Sequence, residues 1–167
     1  YKGVYLSVKN EKLWTRDFVF IILINFLVFM NHIMVVSVFP MYLEQVLGLN
    51  EAVAGAAALG FSLVAVLLRP FIGWLLDQGR RKEILIVGLA GMLLMPLGYL
   101  VSDVLAVAGY ALGGAVALAL ICRMLHGAAL AFSNTSGATI ASDALPQSRV
   151  AEGIGYFGMA TALATSI

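Results

Sequence analysis

Four polar side chains stand inside long apolar stretches of the sequence and are the best candidates for chemistry: Asn25, His32, Arg123 and Asn134. Ionisable groups buried in a membrane are costly and usually mark a transport pathway or a partner. Histidine changes charge near physiological pH, so His32 is a candidate for carrying a proton. Arg123 is a candidate for coupling that proton to transport. The two asparagines are candidates for lining a substrate cavity. His126, one helical turn from Arg123, is a weaker candidate for proton coupling.

The composition indicates the solvent for which the chain is built. Of 167 residues, 62% are hydrophobic and 11% are charged, with a mean hydropathy of +0.98. Soluble domains carry about a quarter charged residues, so the lipid bilayer is the expected surrounding. A net charge of +1 gives no sign of a nucleic-acid partner. The single Cys122 excludes an internal disulfide. Together with His126 it supplies too few ligands for a metal site.

Apolar runs separated by short charged segments predict an all-α, polytopic membrane helical bundle. The first run has no Asp, Glu, Lys or Arg, and at ~1.5 Å per residue it crosses a hydrocarbon core of about 30 Å. The glycine-rich GYALGG at 109–114 is the expected break before the fourth span. The five predicted spans are 18–43, 52–76, 84–102, about 115–143, and a helix beginning near Val150. Residues 1–17 form a polar N-terminal segment and residues 18–167 the transmembrane part.

The distribution of Lys and Arg predicts the orientation of the bundle. Short loops that carry these cations remain in the cytoplasm. Loop 77–83 carries three of them and loop 143–149 carries one, whereas loops 44–51 and 103–114 carry none. The N-terminal segment carries four: Lys2, Lys9, Lys12 and Arg16. Five spans with a cytoplasmic N-terminus place every cation that lies outside the spans on one side, in a plasma or inner membrane.

The stretch GWLLDQGRRK at 73–82 ends the second span on a carboxylate. Gly73 and Asp77 are four residues apart, so Gly73 would admit a neighbouring helix near the carboxylate. A carboxylate at the C-terminal end of a helix faces the negative end of the dipole, which is unfavourable. We therefore expect Asp77 to pair with Arg80 or Arg81, and Asp143 to join them from the end of the fourth span. The alternative is that the cations only fix topology.

The same stretch resembles the loop between helices 2 and 3 in the major facilitator superfamily, with matches at Gly73, Leu75, Asp77, Gly79, Arg80 and Arg81. FPMYL at 39–43 resembles the end of that family's helix 1. RMLHGAALA at 123–131 resembles the helix-4 motif common in its proton-coupled antiporters. ASDALPQSRVAEGIGYFG at 141–158 resembles the junction of helices 4 and 5.

This resemblance implies a fold and a function. Family members have two six-helix bundles that hold a small-molecule substrate between them near the midplane. The chain would supply five helices of the N-terminal bundle, and its partner would be the missing second half of the same transporter. The resemblance implies alternating access, with proton-coupled efflux of drug-like or metabolite substrates, driven by a proton gradient without a cofactor. It also implies a conformational switch formed by Gly73, Asp77, Gly79, Arg80, Arg81 and Asp143.

Three alternatives remain open on the sequence. A sugar or metabolite carrier of the same superfamily would share the architecture. An integral-membrane enzyme needs a nucleophile and base, or a carboxylate pair, at one place. The polar residues here are scattered over different depths, so no enzyme is expected. A non-transporting scaffold would not require the costly ionisable side chains of Arg123 and His32 inside the bilayer.

Overall fold

The computed structural model describes residues 12–109 and 112–167. Most of the N-terminal segment, including Lys2 and Lys9, lies outside the described residues. The described part confirms the predicted all-α fold, since it contains helices and turns and no strand. The α-helices are α1 (Arg16–Gln45), α2 (Glu51–Asp77), α3 (Arg81–Val107), α4 (Leu112–Asp143) and α5 (Val150–Thr165), and a 3-10 turn (Gln147–Arg149) precedes α5.

Four of the five predicted spans have the length and composition needed to cross a membrane. Helices α1 to α4 contain 30, 27, 27 and 32 residues, and each includes a strongly apolar stretch. The expected fifth span is the 16-residue helix α5. At ~1.5 Å per residue it reaches about 24 Å, less than the roughly 30 Å of a hydrocarbon core.

Local sequence signals determine where the helices begin and turn. The Thr15 hydroxyl accepts a hydrogen bond from the Phe18 amide at 3.2 Å, and the Asn50 side chain accepts one from the Val53 amide at 3.1 Å. Both are N-caps, which satisfy amides that a helix start leaves without partners. Gly79 has a φ of 82° in the turn between α2 and α3. A side chain at that φ would be strained, so the turn favours glycine.

The break before α4 is shorter than the sequence suggested. We expected a loop through residues 109–114, but α4 already begins at Leu112, so Gly113 and Gly114 are helical. Residues 110 and 111 lie outside the described residues. Glycine lowers helix propensity by about 1 kcal/mol relative to alanine. In an apolar solvent, however, unpaired backbone groups cost more than that, which favours continuing the helix.

Helix α4 is the centre of the bundle and packs against all four other α-helices. Its buried positions are mainly small: Ala115, Ala119, Cys122, Gly127, Ala129, Ala131, Ser133, Ser136, Gly137 and Ala141. Small residues let helix backbones approach closely inside a membrane. The closest approach is to α3, where Gly88 lies against the backbone of Ser133. The outer surface carries large exposed apolar side chains such as Leu67 and Leu93, as a lipid-facing surface should.

The charged turns lie together at one end of the bundle. There α2 ends, α3 begins, α4 ends and α5 begins, and Arg81 and Asp143 join the start of α3 to the end of α4. We call this the basic end, defined by Arg80, Arg81, Lys82 and Arg149. The opposite end contains the α1–α2 turn.

Candidate functional site

Five side chains from four helices meet inside the bundle, at the centre of the described part. His32 comes from α1, Phe61 from α2, Tyr99 from α3, and Arg123 and His126 from α4. We call these five residues the central cluster. Arg123 and His126 are three residues apart, so one helix turns both toward the same neighbours. The other three helices contribute one side chain each.

The Arg123 guanidinium lies between two aromatic rings. Its Cζ atom is 4.5 Å from the centroid of the Phe61 ring and 4.9 Å from that of Phe39. Such cation–π contacts contribute about 0.5–2 kcal/mol each, the larger values applying to desolvated cations. Only 4% of Arg123 is exposed. In residues 12–109 and 112–167, no carboxylate oxygen lies within 4.0 Å of its nitrogens. The guanidinium is therefore a buried cation without an acidic partner there.

The two histidines lie beside this cation. The His32 ring stacks on Phe61, with centroids 5.0 Å apart and planes inclined by 10°. The His126 ring is fully buried and lies edge-on to His32 at 6.3 Å. The Tyr99 hydroxyl is 3.2 Å from Nδ1 of His126, and the same phenol interacts with Arg123. These contacts link α1, α2 and α3 to α4 within one cluster.

Several polar atoms of the central cluster are buried without a hydrogen-bond partner in the described part of the chain. They are Arg123 Nε, Arg123 Nη1, His126 Nε2 and His32 Nδ1. Buried donors and acceptors are nearly always paired in native proteins, and an unpaired one costs about 1–3 kcal/mol. Four unpaired nitrogens in one cluster therefore indicate a place that can receive a solute, a water molecule or a proton.

Asn25 does not join this cluster. It is buried, and its Nδ2 donates to the Phe157 carbonyl at 3.2 Å and to the Thr161 hydroxyl at 2.8 Å. The structure thus uses the Asn25 amide to hold α1 against α5. Asn25 and His32 are seven positions apart and share a face of α1 at different depths, about 10 Å apart by helical rise.

Asn134 lies in a different place again, on a polar groove between α2 and α4. The groove has a volume of about 550 Å³ and is lined by Arg69, Asn134, Thr135, Ala138, Thr139, Ser142 and Asp143. The neighbouring Ser133 and Ser136 hydroxyls donate to carbonyls of their own helix. This is the ordinary behaviour of hydroxyls inside a membrane helix. The lining of the groove extends to Asp143 at the basic end.

The charged side chains of the basic end pair differently from the expectation. Arg81 pairs with Asp143, and Arg80 pairs with Glu83 at 3.1 Å. Asp77 is exposed and forms no ion pair within the described residues, so the predicted pairing with Arg80 or Arg81 is wrong for this conformation. The physical reason lies in the helix ends. Arg81 begins α3 and Asp143 ends α4, so each charge sits where its own helix dipole disfavours it, and pairing offsets both effects.

The glycines of this motif have unequal roles. Gly79 forms the tight turn described above. At Gly73, by contrast, an added Cβ would meet nothing within 4 Å among the described residues. The close approach expected at Gly73 is therefore not made by the helices that the structure describes.

Sequence reasoning did not identify Phe61 and Tyr99, which complete the central cluster. Phe61 stands in an unbroken apolar run, and nothing in its spacing distinguishes the ring that faces Arg123 from those that face lipid. Tyr99 could have been suspected from the sequence, because it stands in an apolar span and a buried phenol usually has a hydrogen-bond partner.

The family model of the Major Facilitator Superfamily matches residues 21–167. "Probable nitrate/nitrite transporter NarK2" from two strains of Mycobacterium tuberculosis is 34% identical over 83 residues, which is 49% of this chain. The match spans 20% of the length of those relatives. No solved structure matches the chain significantly.

Proposed function

The chain belongs to the Major Facilitator Superfamily, a family of membrane transporters, and from this we propose that the whole protein is a secondary active transporter that moves a small molecule by alternating access. In such transporters the bundles rock about a binding site near the midplane. The observation that carries the proposal is the central cluster, where a buried arginine and two histidines lie among four helices. Ionisable groups at that depth usually lie on a transport pathway. The partners of the chain would be the lipid bilayer, the substrate and the second half of the transporter.

Proton-coupled efflux of drug-like or metabolite substrates is the form of transport that we propose. Imidazoles can take up and release protons near physiological pH, whereas the guanidinium keeps its charge. The electrostatic interaction of the guanidinium with both imidazoles ties the free energy of protonation to the arrangement of the helices that carry them. The resemblance of 123–131 to the antiporter motif supports the same subclass. Sugar or metabolite transport remains an alternative within the superfamily.

Transport by the full-length parent protein in proteoliposomes tests this proposal. With an imposed pH gradient, we expect substrate movement against its own gradient, together with a matching proton flux in the opposite direction. The readouts are a panel of radiolabelled or fluorescent substrates and a pH-sensitive dye inside the vesicles. Collapsing the gradient with a protonophore is the control. Transport that persists unchanged after the collapse would contradict proton coupling, and absence of transport for the whole panel would contradict efflux of these substrates.

A carrier of small anions is the second candidate. The relatives from Mycobacterium tuberculosis are named as probable nitrate/nitrite transporters. In this chain, a buried arginine without an acidic partner among the described residues favours a negatively charged solute. Nitrate and nitrite therefore belong in the substrate panel beside the drug-like compounds.

The Arg81–Asp143 ion pair supports a further part of the proposal, a switch at the basic end. The pair joins the start of α3 to the end of α4, beside the α2–α3 turn. Each side chain is more than 40% exposed, so the pair contributes only about 0–1 kcal/mol. That is enough to change the ratio of two conformations up to about fivefold, yet too little to determine folding. We propose that the pair holds the basic end closed, which is the outward-open state.

Replacing Asp143 tests this switch. Asp143→Asn should shift the population toward the inward-open state and reduce turnover, with expression little changed, because only the exposed pair is lost. Spin-label distances across the basic end of the full-length protein measure the ratio of states. Glu83→Gln is the matched control, since it removes a carboxylate from another exposed arginine pair at the same end. Asp77→Asn shows whether the unpaired carboxylate contributes. An unchanged ratio in Asp143→Asn would mean that the cations only fix topology.

The orientation of the chain gives another prediction. We propose that the basic end faces the cytoplasm and the α1–α2 turn the outside, in a plasma or inner membrane. Single cysteines at Gln78 and Gln45, both exposed, would be placed in a Cys122→Ala background and labelled in intact cells with an impermeant maleimide. Gln45 is preferable to Asn50, which caps α2. Only the Gln45 site should react. The opposite pattern would reverse the orientation.

A further inference from the structure

We propose that the basic end carries a binding site for the headgroup of an anionic phospholipid, whose acyl chains lie along α3. The headgroup would occupy a cavity of about 430 Å³ between the start of α3 and the end of α4. Its lining includes three consecutive cations, Arg80, Arg81 and Lys82. The inference goes beyond the proposed function, because it concerns the lipid-facing surface of the bundle and holds for any transported solute.

The charges that line the cavity favour an anion. Two carboxylates accompany the three cations, and each carboxylate holds one arginine: Glu83 pairs with Arg80, and Asp143 pairs with Arg81. No carboxylate of the lining remains for the exposed Lys82 ammonium, so the lining keeps one positive charge in excess. The single negative charge of a phosphodiester matches that excess.

The start of α3 supplies hydrogen-bond donors to the same cavity. Residues of its first turn line the cavity, and the N-cap residue Arg80 makes no capping hydrogen bond through its side chain. First-turn amides have no partner within their own helix, and the helix dipole favours an anion near them. The buried Nε of Arg81 also lacks a partner among residues 12–109 and 112–167. Helix-start amides and an arginine are the donors that a phosphate group prefers.

The surface of α3 below the cations is apolar, which favours a lipid over a soluble phosphate. Ile86 follows Lys82 by four residues, so it lies on the same face of α3 one turn deeper. Leu93 and Leu97 continue that face, and the three apolar side chains are 64%, 71% and 53% exposed. Together they present about 17 Å of apolar surface along the helix. An acyl chain would bury this surface, whereas a soluble phosphate would leave it uncovered.

The depth of the cavity agrees with the position of a lipid headgroup. Both tryptophans of the chain lie at the basic end, since Trp14 precedes α1 and contacts Tyr156 of α5, and Trp74 lies in the last turn of α2. Each of them is more than half exposed. Tryptophan is enriched where the membrane meets water. The cations at the start of α3 are therefore at the level of the phosphates and not within the hydrocarbon.

Lipid binding to the purified full-length protein tests the site without any need for transport. Delipidated protein in a neutral detergent would be titrated with phosphatidylglycerol or phosphatidylcholine of identical acyl chains, and bound lipid counted by native mass spectrometry. Phosphatidylglycerol should bind more tightly, because the choline ammonium would meet the excess positive charge. The double variant Arg80→Gln/Lys82→Gln should weaken phosphatidylglycerol binding by at least about tenfold.

A matched variant separates this site from general attraction between the basic end and anionic lipids. Lys12→Gln/Arg16→Gln also removes two exposed cations at the basic end, beside the start of α1, and should keep its affinity within about twofold of the wild type. Equal losses in the two double variants would overturn the site, as would equal binding of the two lipids by the wild type. If Arg80→Gln/Lys82→Gln does not yield folded protein, Lys82→Gln compared with Arg16→Gln decides in the same way.

Competition distinguishes a lipid from a soluble phosphate. Protein loaded with long-chain phosphatidylglycerol would be mixed with short-chain phosphatidylglycerol or with glycerophosphoglycerol, which is the same headgroup without acyl chains. The short-chain lipid should displace the bound lipid at a concentration at least about tenfold lower, because its chains bury apolar surface. Ile86→Ser should narrow that difference. Equal displacement by both compounds would assign the cavity to soluble phosphates and overturn the proposal of a lipid site.

Discussion

Gly88→Ala is expected to keep α3 and α4 from packing and to reduce the yield of folded protein several-fold. A Cβ atom added at Gly88 would meet the backbone of α4, with the Ser133 Cα at 2.8 Å and the Phe132 carbonyl carbon at 3.0 Å. Backbone atoms inside a helix cannot rotate away, so the two helices would have to separate. Overpacking of this kind costs about 1–3 kcal/mol. Because the α3–α4 contact also positions Tyr99 against His126, the loss would reach the central cluster.

Two controls make the Gly88 result specific. Gly155→Ala places the same methyl group on α5, where no other atom of residues 12–109 and 112–167 lies within 4 Å. Alanine should there stabilise the helix by up to about 1 kcal/mol. At Gly91, the added Cβ would meet only Ala129, whose own Cβ lies 2.5 Å away. Ala129→Gly should therefore rescue Gly91→Ala. Size-exclusion profiles and thermal unfolding in detergent measure both effects. Equal stability of the Gly88→Ala and Gly155→Ala proteins would show that the close approach is not required.

The sequence predicted most of the helix ends well because a charged residue marks them. The second span was expected at 52–76 and is found at Glu51–Asp77, and the fourth was expected to end at Asp143, where it does end. Charged side chains are costly inside a bilayer but are tolerated at the ends of membrane helices. Asp, Glu, Lys and Arg therefore mark those ends in the sequence. The start of α4 was misplaced because glycine, which often ends helices in water, is frequent within membrane helices.

The faces of the helices were much harder to predict. In water, an apolar stripe shows which face is buried, but a membrane helix is apolar on every side and the stripe disappears. Asn25 and His32 share a face of α1 by spacing, yet one contacts α5 and the other Phe61 of α2. The spacing of two residues along the sequence shows whether they share a face of their helix. It does not show which neighbouring helix each of them contacts. Arg81 and Asp143, 62 residues apart, pair for a reason that only the packing of α3 on α4 reveals.

The second large effect is expected at the central cluster itself. His32→Gln keeps a hydrogen-bonding side chain of similar length but cannot titrate near physiological pH. We expect the variant to fold and to transport, and its rate, measured between about pH 6 and about pH 8, to lose the pH dependence that the wild type shows. His126→Gln is the matched comparison. His126 lies near the same Arg123 guanidinium, but it is fully buried and hydrogen-bonded to Tyr99. The main expected effect of His126→Gln is therefore a loss of stability.

Arg123→Lys completes this test. The lysine retains a positive charge but has a compact ammonium in place of a planar guanidinium, so it cannot reproduce the contacts with Phe39 and Phe61 or the same directed N–H groups. We expect transport to fall at least tenfold in proteoliposomes while the protein still elutes as a folded species. Rates would be measured across the same pH range for wild type, His32→Gln and Arg123→Lys. Unchanged pH dependence in His32→Gln would show that His32 takes no part in proton coupling. Wild-type activity in Arg123→Lys would show that only the positive charge of Arg123 matters, and not its planar guanidinium.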